Sequence, residues 1–197
     1  LSLPEHLVAV SSTGVIGEVL PMDKIKQGIE QLTVKDDSIA VDQFNQAILT
    51  TDTFTKSTCY TATINGQTIT LAGSCKGSGM IKPNMATMLS FITTDLNIDA
   101  TYLQQALNET VNKTFNCVTV DGDTSTNDTV IVMANGCANN APLTPQSEDW
   151  PIFIELLQQV SEDLAKMIAK DGEGATKLIE VVVNHASSTN DAVEIAK

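Results

Sequence analysis

The sequence predicts a mixed α/β fold of the α+β type. Two runs of β-branched residues flank Asn65-Gly66, and an Asn-Gly pair in that setting is a strong signal for a β-hairpin. A long amphipathic pattern that opens at Pro151 predicts the longest helix. Helical and strand patterns interleave without a strict β-α-β rhythm, which favours layers of helices and strands over a doubly wound sheet.

The first half of the chain contains one short apolar strand, two helices and the hairpin. Pro21 opens the first helix, and Ser38 has the side chain expected of an N-cap for the second. The predicted elements are a strand at 7–10, a helix after residue 21, a helix from 38 to about 49, and strands at 59–64 and 67–72.

The second half alternates strands and helices. Asp99 is positioned to cap a helix that presents Leu103, Leu107 and Val111 on one face. The predicted elements are strands at 87–94, 130–134 and 178–183, and helices after residue 99, at 151–170 and from about 190.

Composition restricts the function classes. The chain has 197 residues, 42% of them hydrophobic and 18% charged, which is typical of one globular domain with a sizeable core. Eleven lysines, no arginine and a net charge of −13 make nucleic acid or an anionic membrane a poor partner. We find neither a long apolar run nor a signal peptide, so we expect a cytoplasmic protein with four reduced cysteines.

Residues 76–91 form the most informative segment. Gly77, Gly79 and Pro83 allow a tight backbone path before Ala86, Thr87 and an apolar strand. This layout suits a threonine that cleaves its own peptide bond. Cleavage after Ala86 would give Thr87 a free α-amine, with a pKa near ~8, as a general base for its hydroxyl.

The run KGSGMIKPNMATML at 76–89 resembles the autoprocessing segment of the ornithine acetyltransferases, also called glutamate N-acetyltransferases. Three further stretches are similar to this family and occur in its order. They are STGVIG at 12–17, VDGDTSTND at 120–128 and KDGEGATK at 170–177.

The resemblance implies a layered α-β-β-α sandwich and an enzyme of arginine biosynthesis. Such an enzyme moves acetyl from N-acetylornithine to glutamate through an acetyl-threonine, after cleavage between Ala86 and Thr87. It implies one catalytic domain over 1–197, incomplete at both ends, with 1–86 in the α chain and 87–197 in the β chain. Two α and two β chains would assemble as a heterotetramer. Acetyl-CoA is a second donor in part of the family.

The resemblance also implies roles for individual residues. Thr13 and Gly14 match the oxyanion-hole positions, whereas Thr50, Lys76 and Glu173 match substrate-binding positions, together with Thr87 itself. Thr51 directly follows Thr50, so that placement stays open by one residue.

Other chemistries find little support. The segment from Asp121 lacks the glycine and glutamate of an EF-hand and is interpreted as a polar loop near the active site. No nucleophile elbow or Walker loop occurs, so we expect no metal, cofactor or nucleotide. Two alternatives remain open: an N-terminal-nucleophile amidase or aminopeptidase, and a non-catalytic domain in which Ala86–Thr87 is never cleaved.

Overall fold

A computed structural model of the chain describes residues 3–35, 37–82, 88–125 and 127–196. Within these ranges the fold combines four strands and five α-helices, which confirms the predicted mixed α/β class. Strands β1 to β4 span Lys56–Ile64, Gln67–Lys76, Leu89–Thr94 and Thr129–Ala134. Helices α1 to α5 span Met22–Gln31, Ser38–Ala47, Ala100–Val111, Trp150–Lys170 and Thr189–Ala196. Short 3-10 turns occur at Glu5–Leu7 and Phe115–Cys117.

The four strands form one sheet in the order β1-β2-β3-β4. The β1–β2 and β2–β3 pairs are antiparallel, whereas β3 and β4 are parallel. Parallel neighbours need a crossover, and α3 lies between β3 and β4 in the chain. The resemblance implies a second sheet, which the described ranges do not contain, so the complete sandwich stays a prediction.

The β1–β2 hairpin has the predicted turn. Asn65 and Gly66 both have positive φ, at 50° and 75°, and Ile64 pairs with Gln67 across them. A two-residue turn with two left-handed residues matches the twist of the flanking strands. The register then places Lys56 opposite Cys75, so the hairpin is longer than predicted.

Helix α4 covers one face of the sheet. Gly73 on β2 lets the helix approach closely, because a Cβ at that position would lie 2.7 Å from Leu164 and 3.0 Å from Val160. Side chains that share this interface form the buried core, including Ile64, Ile69, Leu71, Ile92, Phe153, Leu157, Val160, Leu164 and Ile168. The packed sheet and helix thus give the ends of β1, β2 and α4 fixed relative positions.

The N-caps of α2 and α3 lie at the predicted residue or one residue away from it. Asp99 Oδ1 accepts the Thr101 N–H at 2.8 Å and caps α3 as predicted. Asp37, not Ser38, caps α2, with its Oδ1 accepting the Ala40 N–H at 2.7 Å. An aspartate and a serine are equally good N-caps, so sequence alone does not choose between adjacent ones.

Two predicted strands are absent. Residues 8–10 and 178–183 are neither helix nor strand in the structure, and Leu7 belongs to a 3-10 turn. The apolar side chains of both segments are exposed, except for the half-buried Val183. A strand needs a hydrogen-bonded neighbour, and none of the described strands lies beside either segment. No helix among the described residues has the length and hydropathy needed to cross a membrane.

Candidate active site

A buried lysine joins three segments of the chain at one end of the sheet. Lys56, the first residue of β1, is 1% exposed. Its Nζ donates to Asp52 Oδ1 at 2.6 Å and to Asp171 Oδ2 at 2.5 Å. A buried charge requires opposite charges and hydrogen bonds in place of water. We refer to Asp52, Lys56 and Asp171 as the Lys56 triad.

Asp52 connects the Lys56 triad to the end of β2. Its Oδ1 also accepts the Gly77 N–H at 2.7 Å, and its Oδ2 accepts the Thr50 N–H at 3.1 Å. Gly77 directly follows Lys76, one of the predicted substrate-binding residues. The aspartate therefore fixes the backbone on which the Lys76 side chain is mounted.

Asp171 connects the Lys56 triad to the end of α4. It accepts the Thr53 N–H at 2.9 Å and also the Thr53 hydroxyl. Its own N–H donates to the carbonyls of Met167 and Ile168 at 3.1 Å, which closes the last turn of the helix. The segment leading to Glu173 thus starts from a fixed point.

Electrostatics keep both aspartates of the Lys56 triad ionised. Burial raises the pKa of Asp52, but hydrogen bonds from Lys56, Gly77 and Thr50 together lower it by more. The pKa therefore lies below its ordinary value. The pKa of Asp171 is also lowered, since hydrogen bonds from Lys56 and Thr53 outweigh burial. Hydrogen bonds to a charged form always favour that form.

Lys76 ends β2 and is 2% exposed. The register pairs it with Leu89, two positions after Thr87 in sequence. Burial lowers the pKa of Lys76, while the carboxylates of Asp52 and Asp128 act in the opposite direction. The lysine therefore lies next to the strand that follows the predicted nucleophile.

Glu173 lies against the loop after β2. Its N–H donates to the Ser78 carbonyl at 2.6 Å. A Cβ at Gly79 would lie 2.4 Å from Glu173 Oε2, so the carboxylate occupies space that only a glycine leaves free. The structure therefore brings the loop after Lys76 and Glu173 together.

A cleft of about 260 Å³ lies beside Glu173. Its walls come from the loop before β1 and the end of α4, and comprise Thr51, Thr53, Phe54, Lys170, Asp171, Gly172, Glu173, Gly174 and Ala175. Carboxylate and hydroxyl groups beside one aromatic ring suit a small polar ligand.

The two threonines at 50–51 have different surroundings. Thr50 is exposed and contacts Asp52 through its backbone N–H. Thr51 lines the cleft, and its Oγ1 lies 2.6 Å from Ser78 Oγ. The resemblance matches Thr50 to within one residue, and Thr51 is the member of the pair that lines the cleft.

Asp121 holds the loop that follows Lys76. Its carboxylate accepts the N–H groups of Met80 and Ile81, and Val120 N–H donates to the Ile81 carbonyl at 2.8 Å. Met80 has φ of 58°, an uncommon value for a side chain of this size. Backbone hydrogen bonds outweigh burial and lower the pKa of Asp121.

Thr13 and Gly14 lie in an irregular segment beside the 120–128 loop. The side-chain amide of Asn127 donates to the Ser12 carbonyl directly before them. Thr13 is half-buried and Gly14 is exposed. Among the described contacts, this bond links the predicted oxyanion-hole segment to the residue preceding Asp128.

Ala86 and Thr87, the predicted cleavage site and nucleophile, lie outside the described residues. Met88, the next described residue, donates its N–H to Asp128 Oδ1 at 2.8 Å. The Met88 carbonyl accepts the Thr129 N–H at 3.1 Å. Residues on both sides of the gap are thus bound by the polar segment that follows Val120.

Sequence reasoning missed the Lys56 triad. Counting in twos back from the buried Ile64 places Lys56 on the inward face of β1, which is an unusual position for a lysine. That count would have shown the need for buried carboxylates, although it would not have named them. The described residues contain no group of three or more side chains arranged to hold a metal ion.

We predict that Lys56→Met lowers the free energy of unfolding by about 3–5 kcal/mol at neutral pH, because two buried carboxylates lose their counter-charge. The lowered pKa values of Asp52 and Asp171 give the wild type stability that is present at neutral pH and is lost as pH falls below about 4. In the variant the two carboxylates have no counter-charge, so their protonation at lower pH should remove part of the destabilisation. Urea unfolding between pH 7 and pH 4 should therefore show a deficit that shrinks as pH falls.

Lys166→Met is the matched control. Lys166 pairs with Glu162 at 2.6 Å on the surface of α4, with both side chains about half exposed. Exposed pairs contribute under about 1 kcal/mol. A deficit for Lys56→Met that equals the control, or that stays constant with pH, would contradict the role assigned to the Lys56 triad.

Comparison with known proteins supports the resemblance over the whole chain. The sequence matches the ArgJ family across residues 1–197. The arginine biosynthesis bifunctional protein ArgJ of Halalkalibacterium halodurans is 60% identical over 195 residues, covering 99% of this chain and 47% of that protein. The protein of the same name from Geobacillus stearothermophilus is 58% identical, covering 98% and 47%, and that from Bacillus subtilis is 57% identical, covering 100% and 48%.

A solved structure is also similar. The crystal structure of the arginine biosynthesis bifunctional protein ArgJ from Bacillus halodurans shares 64% identity with this chain, with a TM-score of 0.46 over 46% of this chain and 43% of the other. The chain spans about half the length of the curated relatives it matches. Since the family match covers all 197 residues, the chain belongs to the ArgJ family.

Proposed function

We propose that this chain carries the acetyl-transfer centre of an ornithine acetyltransferase of arginine biosynthesis. The observation that supports this most is that Lys76 pairs with Leu89 at the start of β3, two positions after Thr87 in sequence, while the loop that follows Lys76 is hydrogen-bonded to Glu173. An acyl-transfer site needs a nucleophile beside groups that hold the substrate.

Substrate binding follows from charge. N-acetylornithine and glutamate both carry a free α-carboxylate, and the buried ammonium of Lys76 is suited to bind it. The carboxylate of Glu173 is suited to bind a substrate ammonium group. The Thr50–Thr51 pair would add hydroxyl contacts, with Thr51 on the cleft wall.

Maturation is the first chemical stage. The Thr87 hydroxyl attacks the Ala86 carbonyl, the C–N bond breaks, and water hydrolyses the resulting ester. This leaves 1–86 in an α chain and 87–197 in a β chain of one catalytic domain. Thr13 and Gly14 would stabilise the oxyanion of the tetrahedral intermediate.

Turnover is the second stage. The new α-amine takes the proton of the Thr87 hydroxyl, which attacks the acetyl carbonyl of N-acetylornithine and releases ornithine. Glutamate then attacks the acetyl-threonine and leaves as N-acetylglutamate, in a ping-pong cycle. A heterotetramer of two α and two β chains, a cytoplasmic location and use of acetyl-CoA stay predictions.

We expect an acetyl group on the fragment that begins at Thr87 when the intact gene product is incubated with N-acetylornithine. Mass spectrometry should show both the cleaved chain and the added acetyl, and Thr87→Ala should show neither. Added glutamate should remove the acetyl as N-acetylglutamate.

Each alternative has its own outcome in that experiment. Release of free acetate, with no transfer to glutamate, would identify an amidase. A folded protein that stays a single uncleaved chain would identify a non-catalytic domain. Acetylation at another residue would contradict the mechanism.

We predict that Lys76→Met raises the KM for both substrates about 10- to 100-fold, because a hydrogen bond to a charged group contributes about 1.5–3 kcal/mol. Steady-state kinetics of the cleaved enzyme provide the measurement. Lys113→Met, on the exposed surface after α3, is the control and should leave KM unchanged. If the cleaved Lys76→Met enzyme has the wild-type KM, the proposal that Lys76 binds the substrate is contradicted.

A further inference from the structure

Ser78 is a buried hydroxyl residue to which the proposed acetyl transfer gives no role. It lies in the loop after β2 and is 2% exposed. Its Oγ lies 2.6 Å from Thr51 Oγ1, and its carbonyl accepts the Glu173 N–H at 2.6 Å. Thr51 and Glu173 both line the cleft of about 260 Å³. One buried residue therefore contacts two segments of the cleft wall.

The backbone on both sides of Ser78 is fixed. The preceding Gly77 donates its N–H to Asp52 of the Lys56 triad at 2.7 Å. At the following Gly79, the Glu173 carboxylate occupies the space that a Cβ would need. The position of the Ser78 hydroxyl relative to the cleft is thus set by the fold and not by the ligand.

The direction of the hydrogen bond between Ser78 and Thr51 follows from burial. A hydroxyl has one proton to donate and two lone pairs that accept. A buried O–H without an acceptor is costly, because no water is available to accept its proton. Among the described residues, Thr51 Oγ1 is the one hydrogen-bond partner of Ser78 Oγ. Ser78 is therefore the donor and Thr51 the acceptor.

Thr51 keeps its own proton for the cleft. It is exposed on the cleft wall, and its O–H cannot also be directed at the oxygen that donates to it. A hydroxyl that accepts a hydrogen bond is polarised and becomes a stronger donor. The cleft thus presents a directed donor at Thr51 and a carboxylate acceptor at Glu173. An amino acid, with carboxylate oxygens and an ammonium group, has the complementary pair of groups.

We propose that Ser78 is a positioning residue for substrate binding, whose hydroxyl directs the Thr51 proton toward a carboxylate oxygen of the bound amino acid. This inference rests on the proposed function. N-acetylornithine and glutamate both carry a carboxylate, so the same contact serves both substrates. The Thr51 hydroxyl adds a neutral donor to the charge that Lys76 supplies.

Ser78→Ala removes the donor and leaves the Thr51 hydroxyl free to rotate. In the cleaved enzyme made from the intact gene product, KM for both substrates should rise about 2- to 10-fold, the effect of one neutral hydrogen bond. The kcat should stay near the wild-type value, because the contact is present before and during the reaction. Thr51→Val should raise both KM values at least as much, whereas Thr51→Ser keeps the hydroxyl and should behave like the wild type.

The double variant tests whether Ser78 acts through Thr51. In the Thr51→Val background, Ser78→Ala should change KM no further, whereas independent effects would multiply and overturn the inference. A wild-type KM for Ser78→Ala would also overturn it, as would a wild-type KM for folded Thr51→Val even if Ser78→Ala does not fold. Thr61→Val, at an exposed threonine of β1, is the matched control and should leave KM unchanged.

Thermal unfolding tests the direction of the hydrogen bond independently of activity. Thr51→Val deprives the buried Ser78 proton of its acceptor, so the melting temperature should fall. Adding Ser78→Ala should restore part of the loss, because the unsatisfied donor is then removed. A double variant that melts below Thr51→Val would overturn the assigned direction. A wild type that transfers no acetyl would instead overturn the proposed function.

Discussion

The ammonium of Lys56, enclosed by the carboxylates of Asp52 and Asp171, is the interaction on which the candidate site depends. Buried ion pairs are often no more stabilising than apolar groups of the same volume, because desolvation costs several kcal/mol per ion. Their geometric demand is the more important property here. Each aspartate also accepts a backbone N–H, from Gly77 or from Thr53, so the position of one charge fixes three segments at once. The main effect of the Lys56 triad is therefore the placement that it imposes on these segments.

The rest of the site is built outward from that point. Gly77 is followed by the loop that contacts Glu173, and Asp171 is followed by Glu173 itself, so both of these contacting segments begin at the Lys56 triad. Lys76 interacts electrostatically with two carboxylates. Asp52 stays ionised, whereas burial raises the pKa of Asp128.

Local signals predicted the fold better than the site. The Asn65-Gly66 hairpin, the Asp99 cap and α4 depend on residues close in sequence, and all three were predictable. The strand expected at 178–183 was wrong, because strand formation depends on a distant partner. The Lys56 triad was missed for a similar reason, since Lys56 and Asp171 are 115 positions apart and neither belongs to a local motif. Resemblance named Lys76 and Glu173, but only the fold shows how the chain brings their segments together.

Hydrogen exchange of the Gly77 and Thr53 amides tests the central claim most directly. Both N–H groups donate to carboxylates of the Lys56 triad and lie outside the β-ladders. In folded Lys56→Met we predict that these two amides lose protection together, while amides of the β1–β2 ladder keep theirs. Unchanged protection of Gly77 and Thr53 in the folded variant would contradict the claim that one buried ammonium holds the site together.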